Sequence, residues 1–259
     1  MEGSISGGCV ETDVLQRAAE VIAGRPAHVH SYGVADGDAW DVGLPCGGEI
    51  AVLVQPVTDS GFAPHLFDRI AAASEEGRAL TLATDLATGR TQEGVVEGGF
   101  LNRYDPPRQL LIVGAVQIAQ SLVPLAQAID VRPVVIDPRG RFLTEERFPG
   151  VALDDRWPDE AIAARHPGES TAIVTLSHDI KIDDPALIAA LNAPTGYIAA
   201  LGSRRSHAAR IDRLTAAGFD ADALARIDGP AGLDIGAIGP AEIALSITAG
   251  MVAGFNARG

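Results

Sequence analysis

The chain has 259 residues, of which 47% are apolar and 21% charged, so it can form one large domain or two ordinary ones and is too apolar to be disordered. Its formal net charge is −14. Nucleic acid and anionic membranes repel so acidic a protein, and neither is expected as a general partner.

The first part of the chain, residues 1–101, is predicted to be a smaller α+β domain. Apolar runs at Glu49–Val54 and Ala79–Ala83 are typical of strands. Helical spacing of apolar residues predicts helices over Val10–Ala23 and Ala63–Glu76.

A linker is predicted at Asn102–Arg108, where two adjacent prolines break any regular element and stiffen the chain. The second domain is predicted over residues 108–259. Its strands are expected at Gln109–Val113, Val131–Ile136, Thr171–Leu176, Tyr197–Leu201 and Leu233–Ile235. Its helices are expected at Gln117–Ala128, Asp159–Arg165, Pro185–Asn192, Ser206–Ala217 and Pro240–Phe255. Continuous apolar strands that alternate with helices are typical of a Rossmann-like doubly wound parallel sheet, which makes the whole chain α/β.

An anion-binding turn is predicted at Gly202-Ser203-Arg204-Arg205, between a strand and a helix. A helix N-terminus presents free backbone N–H groups and a positive dipole end, and guanidinium groups bind phosphate through paired donors. The pattern therefore indicates a receptor for a phosphorylated ligand. The alternative is that both arginines pair with the many carboxylates of this chain.

Three more polar loops are expected at the same edge, because ligands of doubly wound sheets bind beyond the carboxyl ends of the strands. Gly114 opens the first loop as a dinucleotide fingerprint would, but Val116 stands where the fingerprint needs glycine and blocks a pyrophosphate. Asp137 follows at the distance expected of a residue that contacts a ribose hydroxyl. His178 and Asp179 follow a third strand. The four loops are predicted to line one pocket for a nucleotide-like ligand.

His178 is a general acid or base, a donor to the ligand or a structural residue, and the sequence leaves these roles open. Asp179 need not orient it, because adjacent side chains often point apart.

The two cysteines, Cys9 and Cys46, each stand beside a glycine pair, and Gly47-Gly48 follows Cys46. Paired glycines let a ligand approach the backbone, and a thiolate can bind a soft metal or transfer sulfur. The alternative is a buried cysteine beside a tight turn. Sparse cysteines and the lack of a signal peptide or a transmembrane run predict a cytoplasmic protein with reduced thiols.

These motifs together resemble the XdhC/CoxI family over nearly the whole chain. In the first half the resemblance rests on Ser6-Gly7-Gly8-Cys9-Val10-Glu11, on Tyr32 to Trp40 and on Leu44-Pro45-Cys46-Gly47-Gly48. In the second half it rests on Ser177-His178-Asp179 to Leu187, on Gly202-Ser203-Arg204-Arg205, on Gly232 to Ala237 and on Pro240 to Ala244.

The family comprises accessory proteins of xanthine dehydrogenase and carbon monoxide dehydrogenase. The resemblance implies a chaperone that binds molybdenum cofactor, assists its sulfuration and delivers it to an apo-enzyme, with no catalytic turnover of its own. It also implies a Rossmann-type second domain, a homo-oligomer and a cysteine desulfurase as a further partner. Arg204 and Arg205 would suit the cofactor phosphate, and Cys9 or Cys46 would contact molybdenum or its sulfur.

The chain departs from the family pattern in two places. It begins at Met1-Glu2-Gly3, where family members usually have a further N-terminal stretch. Either the start is mis-assigned or the first domain is shortened, and in both cases an unpaired strand edge is expected in that domain. Val116 counts against ordinary NAD(P) binding. The competing functions are an NAD(P)-dependent oxidoreductase, which fold alone cannot support, and a degenerate relative that only docks on a dehydrogenase.

Overall fold

The computed structural model describes residues 10–33 and 49–257. By its internal contacts the chain separates into two compact units, one ending at Asp105 and the other beginning at Pro106. No helix in the described ranges is both long enough and apolar enough to cross a membrane.

The first unit is a small α+β arrangement, as predicted. Its helices are α1 (Glu11–Ile22) and α2 (His65–Glu75). Its strands are β1 (His28–Tyr32), β2 (Ile50–Val54), β3 (Leu80–Thr84), β4 (Thr91–Glu93) and β5 (Phe100–Tyr104). Strands β1 and β2 form one antiparallel pair, and β3 lies between β4 and β5 in a second antiparallel sheet. Leu66 of α2 and Leu82 of β3 are fully buried in the core of this unit.

The second unit alternates strands with helices. Its strands are β6 (Gln109–Val113), β7 (Arg132–Ile136), β8 (Ala152–Asp154), β9 (Thr171–Thr175), β10 (Tyr197–Ala200) and β11 (Ile227–Asp228). Its helices are α3 (Gln117–Ala128), α4 (Pro158–Ala163), α5 (Ile180–Leu191), α6 (Arg204–Ala216), α7 (Ala221–Leu224) and α8 (Pro240–Asn256), with a 3-10 turn at Gly140–Phe142.

The six strands form one parallel sheet in the order β11-β10-β9-β6-β7-β8. This is the strand order of a Rossmann fold, and the direction of winding reverses between β6 and β9. Alternate residues of β6 point to opposite faces: Leu110 and Ile112 pack with α3 and α8, while Leu111 and Val113 pack with α4 and α5. The predicted doubly wound sheet is confirmed, and burial on both faces explains its continuous apolar strands.

Several element boundaries differ from the prediction. Helix α5 begins at Ile180 instead of Pro185, because Asp179 caps it by accepting a hydrogen bond from the backbone N–H of Lys181. In the same way Ser203 caps α6, which therefore begins at Arg204 instead of Ser206. As a result, the motifs that contain Asp179 and Ser203, which were predicted to lie in loops, lie at helix N-termini.

Two further differences concern strands. The segment Leu233–Ile235 is not a strand, and the last strand of the sheet is the two-residue β11. Strand β5 continues to Tyr104, so only residues 105–108 of the predicted linker lie between β5 and β6.

Candidate functional site

Two loops meet at the point where the winding of the sheet reverses. Gly114, which follows β6, has a φ of +110°, and a Cβ on it would lie 2.9 Å from the backbone nitrogen of Ser177, which follows β9. Only glycine fits this combination of left-handed backbone and close approach. The structure therefore brings the loops of Gly114 and Ser177 into contact at the carboxyl edge of the sheet.

Asp137 is fully buried beneath this contact. Its carboxylate accepts hydrogen bonds from the backbone N–H of Ala115 at 2.8 Å and from the backbone and guanidinium of Arg139 at 2.8–2.9 Å. Burial raises the pKa of this carboxyl, but the hydrogen bonds from Arg139 and Ala115 outweigh burial and hold the pKa below its usual value. Asp137 thus fastens the Gly114 loop to the loop after β7.

Val116 lies at the N-cap of α3 with an extended backbone, φ −94° and ψ 177°. Its side chain packs against the apolar core on the α3 face of the sheet. The valine therefore adopts this position without backbone strain, and its side chain contributes to the core.

His178 and Asp179 are exposed at the N-terminus of α5. His178 adopts a left-handed φ of +61°, and Asp179 uses its carboxylate to cap the helix. The cap gives Asp179 a structural role, and the imidazole of His178 faces solvent at the carboxyl edge of the sheet.

Arg204 and Arg205 occupy the first turn of α6, where both are exposed. Neither guanidinium forms an ion pair with any residue in the described ranges. Gly202 precedes them with a φ of +145°, and a Cβ there would lie 2.6 Å from Oγ of Ser206. Ser203 caps this helix N-terminus, and beside it lie two cations that have no ion-pair partner among the described residues.

A buried arginine, absent from the sequence-based prediction, lies under this turn. Arg210 of α6 is 5% exposed and donates a hydrogen bond to the carbonyl of Leu201 at 2.8 Å. Its buried Nε has no hydrogen-bond partner among the described residues, and its Nη2 would lie 3.7 Å from a Cβ on Gly202. Burial lowers the pKa of Arg210, and the charge of Asp183 acts in the opposite direction.

Asp183 of α5 is the matching buried acid, at 4% exposure. It accepts a hydrogen bond from Oγ of Ser177 at 2.6 Å. Burial raises the pKa of Asp183, against the effects of Ser177 and Arg210. Two opposite charges therefore support the loops after β9 and β10 from below. Sequence spacing could have indicated that both residues are buried. Asp183 and Arg210 each lie four residues before a buried leucine, which places them on the inner face of a helix.

A cavity of about 340 Å³ opens beside Arg204. One side is formed by Leu201, Gly202 and Arg204, and the other by residues 230–237 and the start of α8. Gly202 and Arg204 line it, whereas Gly114, Asp137 and His178 lie at the same edge of the sheet but do not line it. The single pocket predicted for all four loops stays a prediction.

Cys9, Cys46, Gly47 and Gly48 lie outside the described residues, as does the prediction that the thiols contact a metal. Residues 10–33 and 49–257 contain no group of three or more histidine, cysteine or acidic side chains arranged to hold a metal ion.

Two family models match the sequence. The model for the XdhC Rossmann domain covers residues 110–251, and the model for the XdhC and CoxI family covers residues 1–33. Among curated proteins, the chain is 29% identical to the molybdenum cofactor insertion chaperone PaoD of Escherichia coli (strain K12), over 95% of the chain and 72% of that protein. It is 24% identical to a probable xanthine dehydrogenase subunit of Bacillus subtilis (strain 168), over 96% of the chain and 83% of that protein.

The fold also occurs among solved structures. The crystal structure of a protein described as a xanthine dehydrogenase from Bacillus halodurans aligns with a TM-score of 0.74 and 24% identity. The alignment covers 99% of this chain and 83% of that one, so the similarity extends through both units.

Proposed function

The chain belongs to the XdhC and CoxI family, and from that premise we propose that it is a molybdenum cofactor chaperone. It binds the cofactor as cargo, assists its sulfuration and delivers it to an apo molybdenum hydroxylase of the xanthine dehydrogenase or carbon monoxide dehydrogenase type. A cysteine desulfurase supplies the sulfur, the chaperone acts as a homo-oligomer in the cytoplasm, and it catalyses no turnover of its own. The relative named as a molybdenum cofactor insertion chaperone supports this role.

The observation that carries the proposal is the pair of arginines at the N-terminus of α6. Arg204 and Arg205 stand exposed in the first helical turn, and neither has an ion-pair partner among the described residues. In a chain of net charge −14, two free cations at a positive helix end form a localised anion site. The phosphate of the cofactor is the anion that fits it.

The groups beneath the turn fit a phosphate as well. Gly202 carries no Cβ, which would otherwise fill the space next to Ser206. Arg210 adds a buried positive charge under the same turn, and its Nε makes no hydrogen bond in the structure. A phosphate at this position would be held by backbone N–H groups and by guanidinium donors, while Arg210 would fix the shape of the turn through Leu201.

The cofactor brings the molybdenum centre on which the client enzyme depends. In the proposal Cys46 or Cys9 contacts the molybdenum or its sulfur, and Gly47 and Gly48 let the ligand approach the backbone. His178, Asp179 and Ser203 remain candidate contacts at the carboxyl edge of the sheet. The Gly114 loop, fastened by Asp137, forms the neighbouring part of that edge.

The oxidoreductase alternative is not favoured. The carboxylate that would meet the ribose, Asp137, already accepts hydrogen bonds from Arg139 and Ala115 on both oxygens. Val116 stands at the position where the dinucleotide fingerprint needs a glycine.

The test is native mass spectrometry of the full chain produced in a host that makes molybdenum cofactor. We expect the wild type to retain a pterin mass and Arg204→Ala/Arg205→Ala to lose it. Each charge-assisted hydrogen bond contributes about 1.5–3 kcal/mol, so losing two weakens binding by roughly two orders of magnitude or more. Because both side chains are exposed, the variant should fold normally.

The matched control is Arg90→Ala/Arg132→Ala, which removes the same charge from exposed positions away from α6. Equal cofactor retention by the two double variants would move the phosphate site elsewhere. A dinucleotide mass in the wild type would instead support the oxidoreductase alternative. Detection of neither a pterin nor a dinucleotide would support the hypothesis that the chain only docks on a dehydrogenase.

A further inference from the structure

The cavity beside Arg204 has a rigid wall. Gly232, in the segment after β11, has a φ of +90°, and a Cβ on it would lie 2.5 Å from Oγ of Ser246 and 2.6 Å from the backbone nitrogen of Ile247. Ser246 in turn donates a hydrogen bond to the carbonyl of Leu233. The segment around Gly232 therefore packs closely against α8, and this contact positions the cavity wall.

The cavity surface carries two opposite charges on an apolar background. Leu201, Ile235 and Ile243 supply apolar area, Arg204 supplies the cation and Asp234 the anion. Asp234 is exposed and makes no hydrogen bond or ion pair with any residue in the described parts of the chain. Both charged groups are therefore available to a ligand in the cavity.

This pairing selects the chemistry of the ligand. A carboxylate accepts hydrogen bonds and repels phosphate, so an entirely anionic ligand is not favoured near Asp234. The cavity fits a molecule with an anionic end near Arg204 and the α6 N-terminus, a flat apolar body, and adjacent N–H donors at its other end. A 2-amino-4-oxopyrimidine ring presents two such parallel N–H donors, which match the two oxygens of a carboxylate.

We propose that this cavity binds the 2-amino-4-oxopyrimidine ring of a phosphorylated ligand, with Asp234 accepting from the ring and Arg204 facing the phosphate. Pterins and guanine both carry this ring. The proposal deepens the proposed function, because it assigns the pterin end of the cargo to residues 230–237 and distinguishes that end from the phosphate site.

The test titrates the full-length chain with 6-hydroxymethylpterin and with its phosphate ester, following pterin fluorescence. We expect Asp234→Asn to weaken both ligands by about tenfold or more, because the amide nitrogen meets the ring donors without accepting from them. Arg204→Ala should weaken the ester by a larger factor than it weakens the unphosphorylated pterin. Asp212→Asn, an exposed acid further along α6, is the control and should bind like the wild type.

Competition separates the two sources of the ring. Guanosine monophosphate displaces the ester if the cavity takes guanine as well as pterin, and fails to displace it if the cavity takes pterin alone; either result supports the ring assignment. Adenosine monophosphate lacks the paired donors and should not compete. Displacement of the ester by adenosine monophosphate would overturn the proposal, as would unchanged pterin binding in Asp234→Asn.

The chaperone role and the ring assignment can fail separately. If the wild type retains cofactor by native mass spectrometry and Asp234→Asn retains the same amount, the ring assignment is wrong and the chaperone role stands. If the wild type retains no cofactor but binds pterin in a way that depends on Asp234, the cavity assignment stands and the chaperone role falls.

Discussion

Replacing Gly232 by alanine should destabilise the second unit more than the same replacement at Gly236, four residues along the same segment. Both glycines have left-handed backbones, with φ of +90° and +72°. They differ in their surroundings, since a Cβ on Gly232 meets Ser246 and Ile247 of α8 whereas a Cβ on Gly236 has nothing within 4 Å. The pair therefore separates backbone strain from close packing.

The expected magnitudes follow from these two costs. A non-glycine residue in the left-handed region costs about 1–2 kcal/mol, which both variants share. The contact with the backbone of Ile247 cannot be relieved by rotating a side chain, and overpacking of this kind costs about 1–3 kcal/mol more. We expect a loss in free energy of unfolding of about 2–5 kcal/mol for Gly232→Ala and about 1–2 kcal/mol for Gly236→Ala.

Thermal unfolding followed by circular dichroism measures the difference. For a unit of this size a loss of 1 kcal/mol lowers the melting temperature by about 2–4 °C, so Gly232→Ala should melt about 2–12 °C below Gly236→Ala. Because Gly232 also sets the cavity wall, its variant should bind the pterin probe less tightly at a temperature where it is folded. Equal melting temperatures for the two variants would refute the close approach of this segment to α8.

Two further predictions concern other parts of the second unit. Hydrogen bonds from Arg156 and Arg165 hold the pKa of Asp154 well below its usual value, against the effect of burial. Because the folded-state pKa is lowered, the ionised carboxylate stabilises the protein at pH values above the unfolded-state pKa of about 3.9, and this contribution is lost as the pH falls. Urea unfolding should therefore show that Asp154→Asn has a lower free energy of unfolding than the wild type at pH 7 and that the difference shrinks in acid. A difference that grows in acid would contradict this. The unmodified chain should bind NAD(P) more weakly than micromolar in calorimetry, and Val116→Gly should tighten binding if the rest of the site accepts a dinucleotide; micromolar affinity in the wild type would overturn the role given to Val116.

The sequence by itself determined the class of the fold and the edge at which the candidate site lies. Strands buried on both faces are largely apolar, so β6, β9 and β10 could be recognised from local sequence. Parallel strands end at one edge, so polar residues after each strand had to lie there, and Gly114 and Gly202 were identified on that basis. The combination of motifs identified the family because each motif is local in sequence.

Local sequence was less informative at helix starts and short strands. Asp179 and Ser203 each cap a helix, but the same residue types are common in loops, so α5 and α6 were predicted to start too late. Leu233 and Ile235 alternate with a polar residue, as residues of a strand often do, while β11 is only two residues long and is stabilised by pairing with β10.

Only the tertiary structure decided which distant groups share a site. The cavity combines the start of α6 with residues 230–237, and that segment is held in place by contacts to α8 that no local pattern encodes. The same holds for Arg210 and Asp183, which the sequence-based prediction did not include and whose partners, Leu201 and Ser177, lie in other loops. Hydrogen bonds and packing between elements depend on distances in space, and the fold sets those distances only when the whole sheet has been assembled.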